Sequence, residues 1–166
     1  DLGLILPHEH LFTDLRGVDH PQLGEGDLGA VAEAMTPYLE EAYRAGVTAL
    51  VECTPAGVGR NPRVLAHLAR QTEMAIMMPA GVYREEYRPQ FLREMSEDQL
   101  TAWMMDHIIE GFEGTGVKAG FIKLAVSNEG ITRGETTALH AAARAAVETG
   151  VVIASHTSGP LAGAHA

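Results

Sequence analysis

The sequence predicts an α/β protein in which parallel strands alternate with helical crossovers. Three observations carry that reading. Short apolar runs at residues 4–6, 47–53, 74–81, 119–125 and 151–155 are separated by stretches of helical period. No hairpin dipeptide joins one run to the next, so successive strands return through crossovers. Of the residues with the most chemistry, His8, His10 and His156 fall just past the ends of these runs, and Lys123 lies within the fourth. Two architectures satisfy the pattern, a doubly wound open sheet and a (β/α)8 barrel. No Gly-x-Gly-x-x-Gly or P-loop pattern follows the first run, which weighs against a nucleotide-binding sheet.

Leu4-Ile5-Leu6 leads into His8-Glu9-His10 as the first strand. After a Gly-rich polar loop, Leu28, Val31, Met35, Leu39, Ala42 and Tyr43 fall on one helical face. Pro37 is expected to kink that helix or to restart it with Thr36 as N-cap. Gly46 ends it, and the second strand follows. Asn61-Pro62 supplies an N-cap and a proline at the first helical position, opening a helix to about Arg70. The third strand covers 74–81. Ser96-Glu97-Asp98-Gln99 reads as a capping box ahead of a stripe of Leu100, Trp103, Met104, His107 and Ile108. The fourth strand is 119–125. Thr132-Arg133-Gly134-Glu135 is a second capping box, and Gly150 suits the left-handed C-cap of the Ala-rich helix behind it. The fifth strand closes the series.

The chain has 166 residues, 46% of them hydrophobic and 20% charged, which suits one domain over 1–166. Its formal charge of -10 argues against nucleic acid and against an anionic membrane surface. No apolar stretch approaches the ~20 residues of a membrane helix. Neither a signal peptide nor a disulfide is expected, since Cys53 is the single cysteine and sits in a strand-like apolar run as a buried thiol. A cytoplasmic homodimer acting on a small molecule is the expected state.

Side chains alternate across a strand, so His8 and His10 share a face and can reach one divalent ion. His156 ends another strand and would face them across a barrel mouth. Lys123 lies in Gly120-Phe121-Ile122-Lys123-Leu124-Ala125, where a lysine is rarely buried without a partner. In a dry, cationic setting its amine pKa falls. The neutral amine can then take up carbon dioxide as an anionic carbamate able to bridge two ions. His20, His67, His107 and His140 read as structural, and Arg60 as a maker of structural salt bridges.

Together these motifs resemble the phosphotriesterase family of the amidohydrolase superfamily. Pro7-His8-Glu9-His10-Leu11 is similar to its first-strand motif, and Val51-Glu52-Cys53-Thr54-Pro55 through Gly57-Val58-Gly59-Arg60 to its second strand and loop. Lys118-Ala119-Gly120-Phe121-Ile122-Lys123-Leu124-Ala125 resembles the fourth strand, and Ser155-His156-Thr157 the fifth. Glu129-Gly130-Ile131-Thr132 resembles the lactonase branch. The resemblance implies a (β/α)8 barrel of which about the first five strands are present and the C-terminal strands absent. It implies two divalent ions, zinc by expectation. His8 and His10 would bind the buried ion, His156 the exposed one, and a carbamylated Lys123 would bridge them. Tyr83 would line the substrate pocket as a catalytic-site residue. A metal-bound hydroxide would hydrolyse a lactone or ester. The alternatives are an organophosphate triester as substrate, an inactive fragment that needs a partner chain, and a binding protein that kept the scaffold without turnover. The family's sixth-strand histidine and eighth-strand aspartate have no counterpart here, and His165 is not counted as a ligand.

Overall fold

The computed structural model describes residues 3–112 and 114–157. Its elements run β1 (Leu4–Glu9), α1 (Leu28–Arg44), β2 (Val47–Glu52), α2 (Pro62–Gln71), β3 (Ala75–Met77), β4 (Pro79–Ala80), α3 (Gln90–Arg93), α4 (Glu97–Ile109), β5 (Phe121–Ala125), α5 (Arg133–Thr149) and β6 (Ile153–His156). A 3-10 turn at Glu85–Tyr87 precedes α3. Every strand pairing is parallel, in the orders β1-β2-β3 and β4-β5-β6. β3 and β4 are two halves of one expected strand, interrupted at Met78, whose carbonyl accepts from Gly120 N–H. The result is a partial (β/α)8 barrel.

The expected local signals hold at the helix ends. Asn61 accepts from Val64 N–H with Pro62 at the first helical position. Ser96 with Gln99 and Thr132 with Glu135 form reciprocal capping boxes. Gly150 closes α5 in the left-handed conformation, φ 76°. One expectation fails. Pro37 neither ends α1 nor restarts it: the helix runs from Leu28 to Arg44, and its N-cap is Asp27, which accepts from Ala30 N–H. A proline removes a single N–H donor, while Ala32 and Leu39, buried on either side of it, tie both halves of the helix to the core.

The core lies between the sheets and the helices. Leu50 and Ile122 from the strands meet Leu68, Leu100, Met104 and the alanine face of α5 (Ala138, Ala141, Ala142, Ala145), all buried. Each large side chain so buried contributes about 1.5–3 kcal/mol. The small alanines let α5 lie close to α4, where Thr101 reaches the Ala141 carbonyl. Among the described residues no helix is long and apolar enough to cross a membrane.

Candidate functional site

β1 carries His8, and His10 follows directly after the strand. Their ring centroids lie 5.3 Å apart, edge to face, as a shared strand face requires. β5 presents Lys123 opposite Ala154, and the next pairings bring Ala125 opposite His156 at the end of β6. Gly81, just past β4, has φ 102° and approaches the Lys123 carbonyl so closely that a side chain there would overlap it. Parallel pairing thus gathers the expected residues at one end of the sheet. His8, His10, Lys123, His156 and Tyr83 all line a single cavity of about 300 Å³, with Cys53, Arg84 and Tyr87 completing its polar and aromatic wall.

Burial lowers the pKa of His8, His10 and His156, and Lys123 adds repulsion to each. The imidazoles are therefore disposed to be neutral and to offer lone pairs. Lys123 is 3% exposed and makes no hydrogen bond or ion pair among the described residues. Desolvation lowers its amine, partly opposed by the neighbouring Cys53. Among the described residues no Asp or Glu lines this cavity, and no three His, Cys, Asp or Glu side chains form a ready cage for an ion. The donor set still suits a pair of divalent ions: separate imidazoles, plus an amine that could become an anion.

Cys53 is a buried thiol, as expected, but it faces this cavity as well as the core; burial raises its pKa and Lys123 opposes the rise. Tyr83 lies 5.6 Å from the His156 ring, centroid to centroid, and burial raises its phenol pKa. Arg60 makes no salt bridge among the described residues. Its guanidinium sits over the rings of Trp103 (5.2 Å) and Phe112 (4.7 Å) and reaches the Pro79 and Gly81 carbonyls. The two rings and two carbonyls take the place expected for carboxylates, and desolvation lowers its pKa to about 9. His107 stacks on Phe112 and is structural, as expected. His165 lies outside the described residues.

Sequence reasoning missed two features. Arg84, beside Tyr83, places a guanidinium nitrogen 3.3 Å from His156 Nε2 and 3.2 Å from Asn128 Oδ1. Glu52, fully buried, accepts from the Thr54 hydroxyl at 2.5 Å and from Thr54 N–H at 3.0 Å, and Thr54 Oγ1 lies 2.8 Å from His10 Nδ1. Burial pushes Glu52 up to about 7 against those donors. The signal was present in the sequence: a carboxylate inside an apolar strand, with a threonine two residues later on the same face.

The sequence profile of the Phosphotriesterase family matches residues 1–164. The Aryldialkylphosphatase of Saccharolobus solfataricus is 32% identical over 163 residues, covering 95% of this chain and 50% of the relative. The Phosphotriesterase homology protein of Escherichia coli is 32% identical over 158 residues, covering 94% of this chain and 53% of the relative. The crystal structure of a Deinococcus radiodurans PTE-like lactonase variant superposes with TM-score 0.84 at 34% identity, over 94% of this chain and 51% of that one. The chain spans about half the length of the curated relatives it matches. Match over nearly the whole chain, parallel barrel strands and the clustering of the strand-end histidines with Lys123 agree that the chain belongs to the phosphotriesterase family.

Proposed function

We propose that this chain contributes the metal-holding half of a hydrolase active site that opens lactones or cleaves carboxylic esters. His8 and His10 would hold one divalent ion, His156 the second, and Lys123 both, with zinc as the metal. When bound, the ions supply Lewis-acid polarisation of the substrate oxygen and a water of lowered pKa. Tyr83 would pack against the substrate beside His156.

The observation that carries this reading is Lys123. It is 3% exposed, unpaired among the described residues, and set in a cavity that three histidines line and no described carboxylate does. Two cations beside a protonated amine would repel it at roughly 4 kcal/mol per pair at 4 Å and an effective dielectric near 20. Carbamylation removes that conflict. The amine lone pair attacks carbon dioxide, an N–C bond forms, and the amine proton leaves to solvent. The product is an anion with two oxygens.

The lactone or ester preference rests on Glu129-Gly130-Ile131-Thr132 and on the likeness to a PTE-like lactonase. A second reading, a phosphate triester as substrate, is favoured by the likeness to an aryldialkylphosphatase. Metal analysis of the full-length protein, with parallel assays on γ-lactones, aryl esters and aryl dialkyl phosphates, tests both. Two equivalents of metal and chelator-sensitive lactone hydrolysis are expected. Lys123→Ala should lose activity and regain part of it with short-chain carboxylic acids, which can bridge in place of the carbamate. Hydrolysis untouched by complete metal removal would overturn the proposal.

A further inference from the structure

We propose that Thr54 and Glu52 are positioning residues that hold His10 as its Nδ1–H tautomer, leaving Nε2 as the nitrogen offered to the cavity. This deepens the metal-site reading above and rests on it for its purpose, though not for its geometry.

Three groups form one chain of hydrogen bonds. His10 Nδ1 lies 2.8 Å from Thr54 Oγ1, which lies 2.5 Å from Glu52 Oε1. The threonine hydroxyl has one proton, so it donates to one neighbour and accepts from the other. Which way it points decides where the imidazole carries its proton. Glu52 Oε2 already accepts from Thr54 N–H at 3.0 Å, and the Leu11 backbone bonds to the same carboxylate. Glu52 Oε1 lies within hydrogen-bond distance of that hydroxyl, and as a carboxylate it has no proton to donate and can only accept. The hydroxyl therefore donates to Glu52, and its lone pair faces His10. His10 must bring the proton on Nδ1, and Nε2 is left bare.

The scaffold makes the relay rigid. Glu52 and Thr54 are 0% exposed, whereas the His10 side chain is 43% exposed on the cavity side. Cys53 N–H donates to the Glu9 carbonyl at 2.8 Å, locking the ends of β1 and β2 together beside the relay. A histidine left to itself in an open cavity would rotate and exchange tautomers. Here a fixed acceptor on one nitrogen sets both its plane and its proton, as hydrogen-bond partners of metal-bound histidines do.

The test uses full-length protein, stripped of metal and labelled with 15N-histidine, at roughly pH 8, above the histidine range. Long-range proton–nitrogen correlation should show His10 protonated at Nδ1. Thr54→Ser should keep that signature, and Thr54→Val should lose it. Glu52→Gln gives the sharpest contrast. Its amide oxygen must take the Thr54 N–H, so its NH2 faces Thr54 Oγ1 and donates. The hydroxyl then turns to His10, and the ring proton moves to Nε2. Cobalt affinity should fall about 10–100-fold in Thr54→Val and Glu52→Gln and stay within about 3-fold in Thr54→Ser. A wild-type His10 protonated at Nε2 would overturn the proposal. So would Thr54→Val with both tautomer and cobalt affinity unchanged. If Glu52→Gln does not fold, the wild-type spectrum and the serine and valine pair still decide. Wild-type protein that takes up no cobalt would instead sink the metal-site reading, while the tautomer signal still judges the relay.

Discussion

Lys123→Met should make the metal-free protein more stable while removing its capacity to hold two metals. Lys123 sits at the middle of β5, flanked by Phe121, Ile122, Leu124 and Ala125, all five residues buried. Its amine has no partner among the described residues, and desolvation lowers its pKa. Methionine keeps the length and flexibility of the side chain and removes the charge. A fully buried, unsatisfied polar group costs about 1–3 kcal/mol; the Lys123 amine borders the cavity and is not among the fully buried unsatisfied atoms, so the variant should gain about 1 kcal/mol, the low end of that range. At an m-value of about 3 kcal/mol/M, the urea midpoint should rise by roughly 0.3 M. The assay is urea unfolding of full-length protein in chelator, followed by circular dichroism and Trp103 fluorescence. An equal or lower midpoint at unchanged m would refute the reasoning, because it would mean that the amine is already stabilised where it lies. Full activity with two bound metals in Lys123→Met would sink the bridging role separately.

Three further outcomes are expected. His8→Ala and His10→Ala should lose bound metal and hydrolysis yet keep their circular dichroism spectrum, since both rings face the cavity; unfolding of either variant without metal dependence would mark them as core residues. His107 is held near pKa 3 by burial and by Arg60, so the folded state resists the proton that the unfolded chain takes up near 6.5. Its contribution is fully present above 6.5 and is lost as pH falls from 6.5 towards 3, at 1.36 kcal/mol per unit. By about pH 5 the loss is about 2 kcal/mol, which the ring's partial exposure discounts to about 1, and His107→Phe should remove that pH dependence in urea melts. Gly81→Ala should cost about 1–3 kcal/mol and lower metal affinity, because φ is 102° and the new Cβ would push against the Lys123 carbonyl; a melting curve and metal content like the wild type's would contradict it.

Much of this was legible because local chemistry dictated it. Asn61-Pro62, Ser96 with Gln99 and Thr132 with Glu135 act through bonds within one helical turn, so sequence spacing alone locates them. The strand-end residues were legible for a related reason: parallel crossovers place equivalent ends of successive strands together. What was not legible depended on contacts distant in sequence. Pro37 stays helical because residues on both sides of it are buried against the rest of the fold. Arg60 reads in the sequence as a maker of salt bridges, and nothing in its neighbours foretells that Trp103 and Phe112 lie beneath it. The break at Met78 separates pairing with β2 from pairing with β5, a geometric need of a closing sheet that apolar pattern does not encode.

The site's electrostatics explain why its parts are held so firmly. The cavity gathers three histidines, Lys123 and Arg84 without a described carboxylate among its lining residues. Such a collection repels itself, and the charged forms of the three histidines and of Lys123 are disfavoured there by burial. The backbone therefore has to supply what attraction does not: strand pairing fixes Lys123 against Ala154, and Gly81 lets β4 close on the Lys123 carbonyl. Glu52 is withdrawn behind Thr54, whose hydroxyl lies between its carboxylate and His10, with Glu52 Oε1 4.0 Å from His10 Nδ1. A carboxylate in the cavity would pair with Lys123 and keep the amine protonated, closing the route to a carbamate. Set back by one hydrogen bond, the same charge can orient an imidazole and leave the amine free to react. On that reasoning Cys53→Asp, which would put a carboxylate on the cavity wall beside Lys123, should raise the lysine pKa and lower metal content in the full-length protein. Undiminished metal binding in that variant would show that the absence of wall carboxylates is incidental.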